Sequence, residues 1–167
     1  MMRPGVCLSL TDAVLGIPLD ARGSRKGPVM PARLLLVDDY RDALDMWAVY
    51  LRARGFDIAT ATDGLAAVCV AREIRPDLIV MDLTLPGLNG CEAARQLRGW
   101  PETARIPIIA TTGNTQPEEL ERARRVGFAA IMIKPCDPPG LVAEIERVLR
   151  ATAPGPLPHA TPHSSVH

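Results

Sequence analysis

The chemistry of this chain centres on Asp82, which stands where a short apolar run gives way to a turn. Residues 78–81 are apolar and too few for a helix, so they predict a buried strand that ends on this carboxylate. Gly87, Asn89 and Gly90 follow soon after and favour a loop. A carboxylate in this position can serve as a metal ligand or as a nucleophile, and it can also simply cap the next turn.

Apolar runs and amphipathic stretches alternate on both sides of Asp82. The apolar runs predict strands at residues 34–37, 56–60, 78–81, 106–110 and 129–133. The amphipathic stretches predict helices at residues 41–54, 91–98, 117–126 and 138–149, with one more between Asp63 and Pro76. This α/β alternation favours a doubly wound parallel sheet with helices on both faces. Four of the strands, all but the second, read as continuous apolar runs of the kind that is buried on both faces.

Helical spacing predicts which side chains face the core. In the first helix the predicted face carries Leu44, Trp47, Ala48 and Leu51. In the second helix Asp63 is the expected N-cap, and the predicted face carries Leu65, Val68, Ala71 and Ile74.

Charged or hydroxyl residues end four of the predicted strands. These strand-end residues are Asp38 and Asp39, Asp82, Thr112, and Lys134. In a doubly wound sheet the carboxyl ends of the strands meet at one edge, where ligands bind. Three carboxylates that meet there repel one another, and Mg²⁺ is the hard cation that suits them. A lysine and a hydroxyl added to this set suit the transfer of a phosphoryl group to Asp82.

Composition excludes several classes of protein. The 167 residues hold 19 basic and 19 acidic side chains, so no polyanion-binding surface is indicated, and we expect no direct contact with nucleic acid. Four scattered cysteines form no C-x-x-C pair, which favours reduced thiols in the cytoplasm. No apolar stretch approaches the ~20 residues that span a membrane. We expect residues 1–32 to be a disordered extension, residues 33–150 the domain, and residues 151–167 a disordered tail.

Four motifs carry a resemblance to a known family. They are Leu-Leu-Leu-Val-Asp-Asp at residues 34–39, Ile-Val-Met-Asp at 79–82 with Pro86 and Gly90, Ile-Ile-Ala-Thr-Thr-Gly at 108–113, and Ile-Lys-Pro at 133–135. In this order the chain resembles the receiver domain of bacterial two-component response regulators over about residues 33–150. The resemblance implies a flavodoxin-like five-stranded sheet of order 2-1-3-4-5. It also implies a phosphodonor partner, either a histidine kinase or a histidine phosphotransfer protein.

The resemblance further implies a role for each strand-end residue. Asp82 would accept the phosphoryl group, and Thr112 and Lys134 would contact that group. The metal ligands would be Asp82, Asp39 directly, Asp38 more through water, and the backbone carbonyl of Thr84. The peptide bond between Lys134 and Pro135 would be cis.

The chain departs from the family pattern at a few positions. Ile131 stands where many members carry an aromatic residue that reorients on activation. At two positions thought to tune dephosphorylation the chain has Thr84 and Asn114, neither of which is acidic, so unusually fast hydrolysis is not expected.

Other functions remain open at this stage. No output domain is expected after residue 149, which indicates a stand-alone receiver that acts through contact with an unknown protein. A haloacid-dehalogenase-like phosphatase also uses a strand-end aspartate, a lysine and Mg²⁺, but its second acid would fall at Thr84. A receiver-like interaction module that works without phosphorylation is a further alternative. A dinucleotide binder is disfavoured because no G-x-G-x-x-G follows the first strand.

Overall fold

Ten alternating elements make up the fold over residues 31–152, which are the residues that the computed structural model describes. They are β1 Arg33–Val37, α1 Arg41–Ala53, β2 Asp57–Ala61, α2 Gly64–Ile74, β3 Leu78–Asp82, α3 Gly90–Arg98, β4 Ile108–Thr112, α4 Pro117–Val126, β5 Ala130–Ile133 and α5 Pro138–Thr152. Helix α5 runs three residues past the predicted end at residue 149. The predictions of disorder for residues 1–30 and 153–167 lie outside the described residues.

The five strands form one parallel sheet in the order β2-β1-β3-β4-β5. This order confirms the flavodoxin-like topology that the resemblance implied. The register pairs Val37 of β1 with Met81 of β3, and Asp82 of β3 with Thr111 of β4. The carboxyl ends of the three central strands therefore lie side by side.

A layer of helices covers each face of the sheet. Helices α1 and α5 pack on one face, where Leu44, Leu51 and Ile145 are buried. Helices α2 and α3 pack on the other face, where Ala67 and Leu97 are fully buried. Each large side chain buried in this way contributes about 1.5–3 kcal/mol relative to an exposed one. The two apolar layers make the sheet a rigid base for the residues at its edge.

The prediction that Leu65 faces the core is wrong. Its side chain is 62% exposed, and the buried stripe of α2 runs instead through Gly64, Ala67, Val68 and Ala71. These four residues follow the i, i+3, i+4, i+7 spacing of one helix face. Leu65 is one residue further on than Gly64 and so lies about 100° around the helix.

Two strand predictions also need correction. Strand β4 begins at Ile108, two residues later than predicted, and it includes Thr111 and Thr112. Pro107 lacks an N–H group and joins the ladder only through its carbonyl, which accepts a hydrogen bond from Ile79. Strand β5 was predicted to be buried on both faces, but it is an edge strand of half-buried residues, and Ile133 is 43% exposed.

Within the described residues, no helix has the length and apolarity needed to cross a membrane.

Candidate functional site

The sheet brings the predicted site residues to a single edge. Asp38 follows β1 directly, Asp82 ends β3, Thr112 ends β4, and Lys134 follows β5. Backbone hydrogen bonds hold the two residues that lie just beyond their strands. The Asp38 N–H donates to the Ala61 carbonyl at 3.2 Å, and the Lys134 N–H donates to the Thr112 carbonyl at 2.8 Å. The site is therefore built on strand ends and not on long loops.

Three carboxylates form the acidic part of the site. One oxygen from each of Asp38, Asp39 and Asp82 lies within 4.8 Å of the others. Asp82 is buried, whereas Asp39 is exposed at the mouth of the site. Like charges this close repel one another, and a neighbouring cation relieves the repulsion.

Lys134 supplies a positive charge directly between two of these acids. Its ammonium donates to Oδ2 of Asp38 at 2.7 Å and to Oδ2 of Asp82 at 2.6 Å. Burial alone would lower the pKa of Lys134, but the hydrogen bonds to Asp38 and Asp82 outweigh it and raise the pKa above its ordinary value. The ammonium is consequently charged at neutral pH.

The scarcity of lysine is a signal that the sequence analysis missed. The only lysines in the chain are Lys26 and Lys134, so all the other cations of the total of 19 are arginines. An ammonium is a compact charge with three donors, whereas a guanidinium is a wide planar fork. Lys134 is the one lysine of residues 31–152 and lies at the edge that carries the acids, which indicates a position that requires the smaller group.

Backbone N–H groups orient the other oxygens of the same two carboxylates. The Thr84 N–H donates to Oδ1 of Asp82 at 2.8 Å, and the Tyr40 N–H donates to Oδ1 of Asp38 at 2.9 Å. Each acid is therefore held by a backbone donor on one oxygen and by Lys134 on the other. Tyr40 was not among the residues predicted for the site, because a backbone donor leaves no mark in the sequence.

Thr112 is placed next to the acids but is hydrogen-bonded elsewhere. Its side chain is fully buried, and its Oγ1 accepts from the Asn114 N–H at 3.0 Å. The same hydroxyl lies 3.4 Å from the Asn114 carbonyl. In the described part of the chain no hydrogen bond joins the Thr112 hydroxyl to Asp82 or to the Lys134 side chain, so the loop after β4 holds this hydroxyl in place.

The donor set fits a divalent cation of the Mg²⁺ type. Mg²⁺ takes oxygen ligands and usually keeps several waters beside one or two carboxylates. The three clustered carboxylates, of which Asp39 is exposed and Asp82 is buried, offer oxygen ligands of this kind within 4.8 Å of one another. The peptide bond between Lys134 and Pro135 is cis, as the resemblance implied.

An apolar cavity of about 480 Å³ opens beside the site. It lies between α1 and the loop that joins β5 to α5, and Asp38 and Lys134 form part of its wall. Met46, Trp47 and Cys136 are among the other residues that line it. Burial raises the pKa of the Cys136 thiol, which keeps it a neutral and apolar part of this wall.

Comparison with known proteins agrees with this geometry. The family model described as "Response regulator receiver domain" matches residues 34–146. The DNA-binding response regulator MtrA of Mycobacterium tuberculosis is 37% identical over 121 residues, which are 72% of this chain and 52% of MtrA. The chain therefore spans about half the length of this relative. Protein PilH of Pseudomonas aeruginosa is 36% identical over 118 residues, which are 71% of this chain and 98% of PilH.

A solved structure shows the same fold with a metal ion. The receiver domain of a sensor histidine kinase from Pseudomonas aeruginosa is 32% identical, with a TM-score of 0.63, and the match covers 72% of this chain and 96% of that one. That structure has a magnesium ion coordinated in its active site cleft. The parallel sheet, the acidic edge and these matches together define a signalling module. The chain belongs to the response regulator receiver domain family.

Proposed function

We propose that Asp82 accepts a phosphoryl group and that the chain works as the receiver domain of a response regulator. The observation that supports this most strongly is the buried Asp82 carboxylate, which ends β3 beside two further carboxylates and is ion-paired to Lys134. The donor would be a histidine kinase or a histidine phosphotransfer protein. Phosphorylation would then change a surface that binds a downstream protein.

In the proposed reaction one oxygen of Asp82 forms a bond to phosphorus as the bond between phosphorus and the donor breaks. Asp38, Asp39, Asp82 and the backbone carbonyl of Thr84 would hold Mg²⁺, which would supply positive charge to the transferring phosphoryl group. The ammonium of Lys134, charged at neutral pH, is close enough to pass from the Asp82 oxygen to a phosphoryl oxygen. The Thr112 hydroxyl would exchange its bond with Asn114 for a bond to the same group.

The alternatives are less well supported. A haloacid-dehalogenase-like phosphatase needs a second acid two residues after the nucleophile, where this chain has Thr84. We therefore propose no catalysis on an external substrate beyond phosphorylation and dephosphorylation of the chain itself. An interaction module that works without phosphorylation would not need the charged side chains at the edge of the sheet. A phosphorylation experiment separates such a module from a phospho-acceptor. The cytoplasmic location and the absence of nucleic-acid contact stay predictions.

Acetyl phosphate tests the proposal because it needs no partner protein. With Mg²⁺ present, intact-mass spectrometry should show one phosphoryl group added to the parent and none added to Asp82→Asn. Asp45→Asn is a matched control, since Asp45 is exposed on α1. The control should be labelled as fully as the parent. Equal labelling of Asp82→Asn would disprove the assignment of the phospho-acceptor.

A further inference from the structure

The loop at residues 83–89, which joins β3 to α3, is confined by a glycine at each of two points. Its Thr84 end is fixed to the site, because the Thr84 N–H donates to Asp82. At its far end Gly90 leaves no room for a side chain, since a Cβ there would overlap the carbonyl oxygen of Asp82. The second point of confinement is Gly64, the first residue of α2, against Leu88. Nothing in the site residues described above accounts for Gly64.

A side chain at Gly64 would collide with the backbone of the loop. A Cβ built there overlaps the carbonyl oxygen of Leu88 and lies 3.0 Å from its carbonyl carbon. Because the obstacle is backbone, no change of rotamer can relieve the collision. The φ angle of Gly64 lies outside the left-handed region, so an alanine would suit the helix itself. The position therefore requires glycine because of the neighbouring loop and not because of the helix.

Helix α2 is held in place beside the loop by its N-cap and by its buried inner face. Its first turn is locked by the Asp63 cap, whose Oδ1 accepts from the Ala66 N–H at 2.8 Å. Ala67 and Ala71 on its inner face are fully buried against the sheet. Leu88 is half-buried and packs against the same apolar layer. Any side chain added at Gly64 must therefore move the loop and leave the helix in place.

We propose that Gly64 is a positioning residue for the loop that carries Thr84, and that its lack of a side chain sets the affinity of the site for Mg²⁺. The inference rests on the proposed function, because it takes the Thr84 carbonyl as a metal ligand. Mg²⁺ demands near-ideal octahedral geometry at about 2.0–2.1 Å, so it tolerates little displacement of a ligand. A displacement of about 1 Å in a reacting site can lower a rate on the order of 100-fold.

The test compares Gly64→Ala with Gly99→Ala in the full chain. Gly99 ends α3 in a right-handed helical conformation, and a Cβ there would lie 3.3 Å from the Gln96 carbonyl oxygen, so alanine fits with little adjustment. Phosphorylation by acetyl phosphate is measured by mass spectrometry across a Mg²⁺ titration, and melting temperature is measured in EDTA. The half-saturating Mg²⁺ concentration should rise about tenfold in Gly64→Ala, as for other residues that orient metal ligands. Saturating Mg²⁺ should restore most of the rate, and Gly99→Ala should match the parent.

The outcomes separate this inference from the proposed function. If Gly64→Ala melts lower in EDTA yet keeps the parent's half-saturating Mg²⁺ concentration, Gly64 is merely structural and the inference is overturned. If Gly64→Ala does not fold, Leu88→Ala replaces it, since that variant removes the side chain that packs the loop against the apolar layer under α2. An unchanged Mg²⁺ requirement in that variant overturns the inference too. A parent that takes up no phosphoryl group overturns the proposed function itself, and the inference with it.

Discussion

At the scale of single residues, the balance of charge around Asp82 decides how the site responds to a metal. Asp39 is the exposed member of the acidic cluster, and Lys134 pairs with the other two acids. Removing the charge of Asp39 therefore relieves repulsion and removes a proposed metal ligand in one step. The first effect raises the stability of the metal-free protein, and the second lowers the gain in stability from Mg²⁺. Measurements with and without Mg²⁺ therefore separate them.

We expect Asp39→Asn to be at least as stable as the parent in EDTA but to gain little from millimolar Mg²⁺. A ligand that binds only the folded state stabilises it by RT ln(1 + [L]/Kd), about 2.7 kcal/mol at a hundredfold excess over Kd. Thermal melts of both proteins with EDTA and with Mg²⁺ measure the difference, and Asp45→Asn is the control for an exposed acid. A full Mg²⁺-dependent rise in Asp39→Asn would show that the metal binds elsewhere.

At the scale of elements, the buried stripe of α2 shows where sequence patterns lose resolution. Gly64 and Ala67 add little hydrophobic signal to the buried face, so helical spacing favoured the larger Leu65 on the neighbouring side. In a sequence pattern a glycine indicates a break in a helix, because the sequence does not show which backbone packs against it. Strand ends were easier to predict, because each apolar run ends abruptly at Asp38, Asp82 or Lys134. A parallel sheet brings the carboxyl ends of its strands to one edge, so these residues were expected to lie together.

The exposure of Leu65 leads to a direct comparison of two leucines. Leu65→Ala should change the free energy of unfolding by less than about 0.5 kcal/mol, as is usual for surface substitutions. Leu97→Ala, in the fully buried face of α3, should cost about 2–5 kcal/mol. Urea denaturation in the absence of Mg²⁺ measures both. A large loss from Leu65→Ala would mean that α2 is rotated from the orientation seen here.

At the scale of the whole molecule, the strand order could be predicted from the resemblance, but the cavity beside the site could not. The strand order follows from the family, whereas the apolar opening between α1 and the β5–α5 loop depends on side-chain packing that no periodicity encodes. Met46 and Val49 on α1 are 55% and 68% exposed, and Met46 lines this opening. We expect a protein phosphodonor to dock on this apolar surface, because the surface lies next to Asp82, the proposed acceptor.

The choice of donor tests whether this surface matters. Met46→Asp should slow transfer from the histidine kinase that phosphorylates the parent fastest in a panel, because a charge there disfavours apolar docking. It should leave labelling by acetyl phosphate unchanged, since that donor needs only the site. Leu65→Asp is the matched control, because Leu65 is an apolar residue of similar exposure on another helix. Equal kinase rates for the parent and Met46→Asp would exclude this face as the docking surface.

Nearly all the basic residues of this chain are arginines, and this composition has a practical consequence for observing the protein. Within residues 31–152 the only primary amine on a side chain is the one that bridges Asp38 and Asp82. A sample isotopically labelled only at the lysine side-chain nitrogen would thus give one NMR signal from the described domain, and that signal would come from the site. Changes in its chemical shift would report metal binding and phosphorylation directly, free of overlap from the arginine-rich surface.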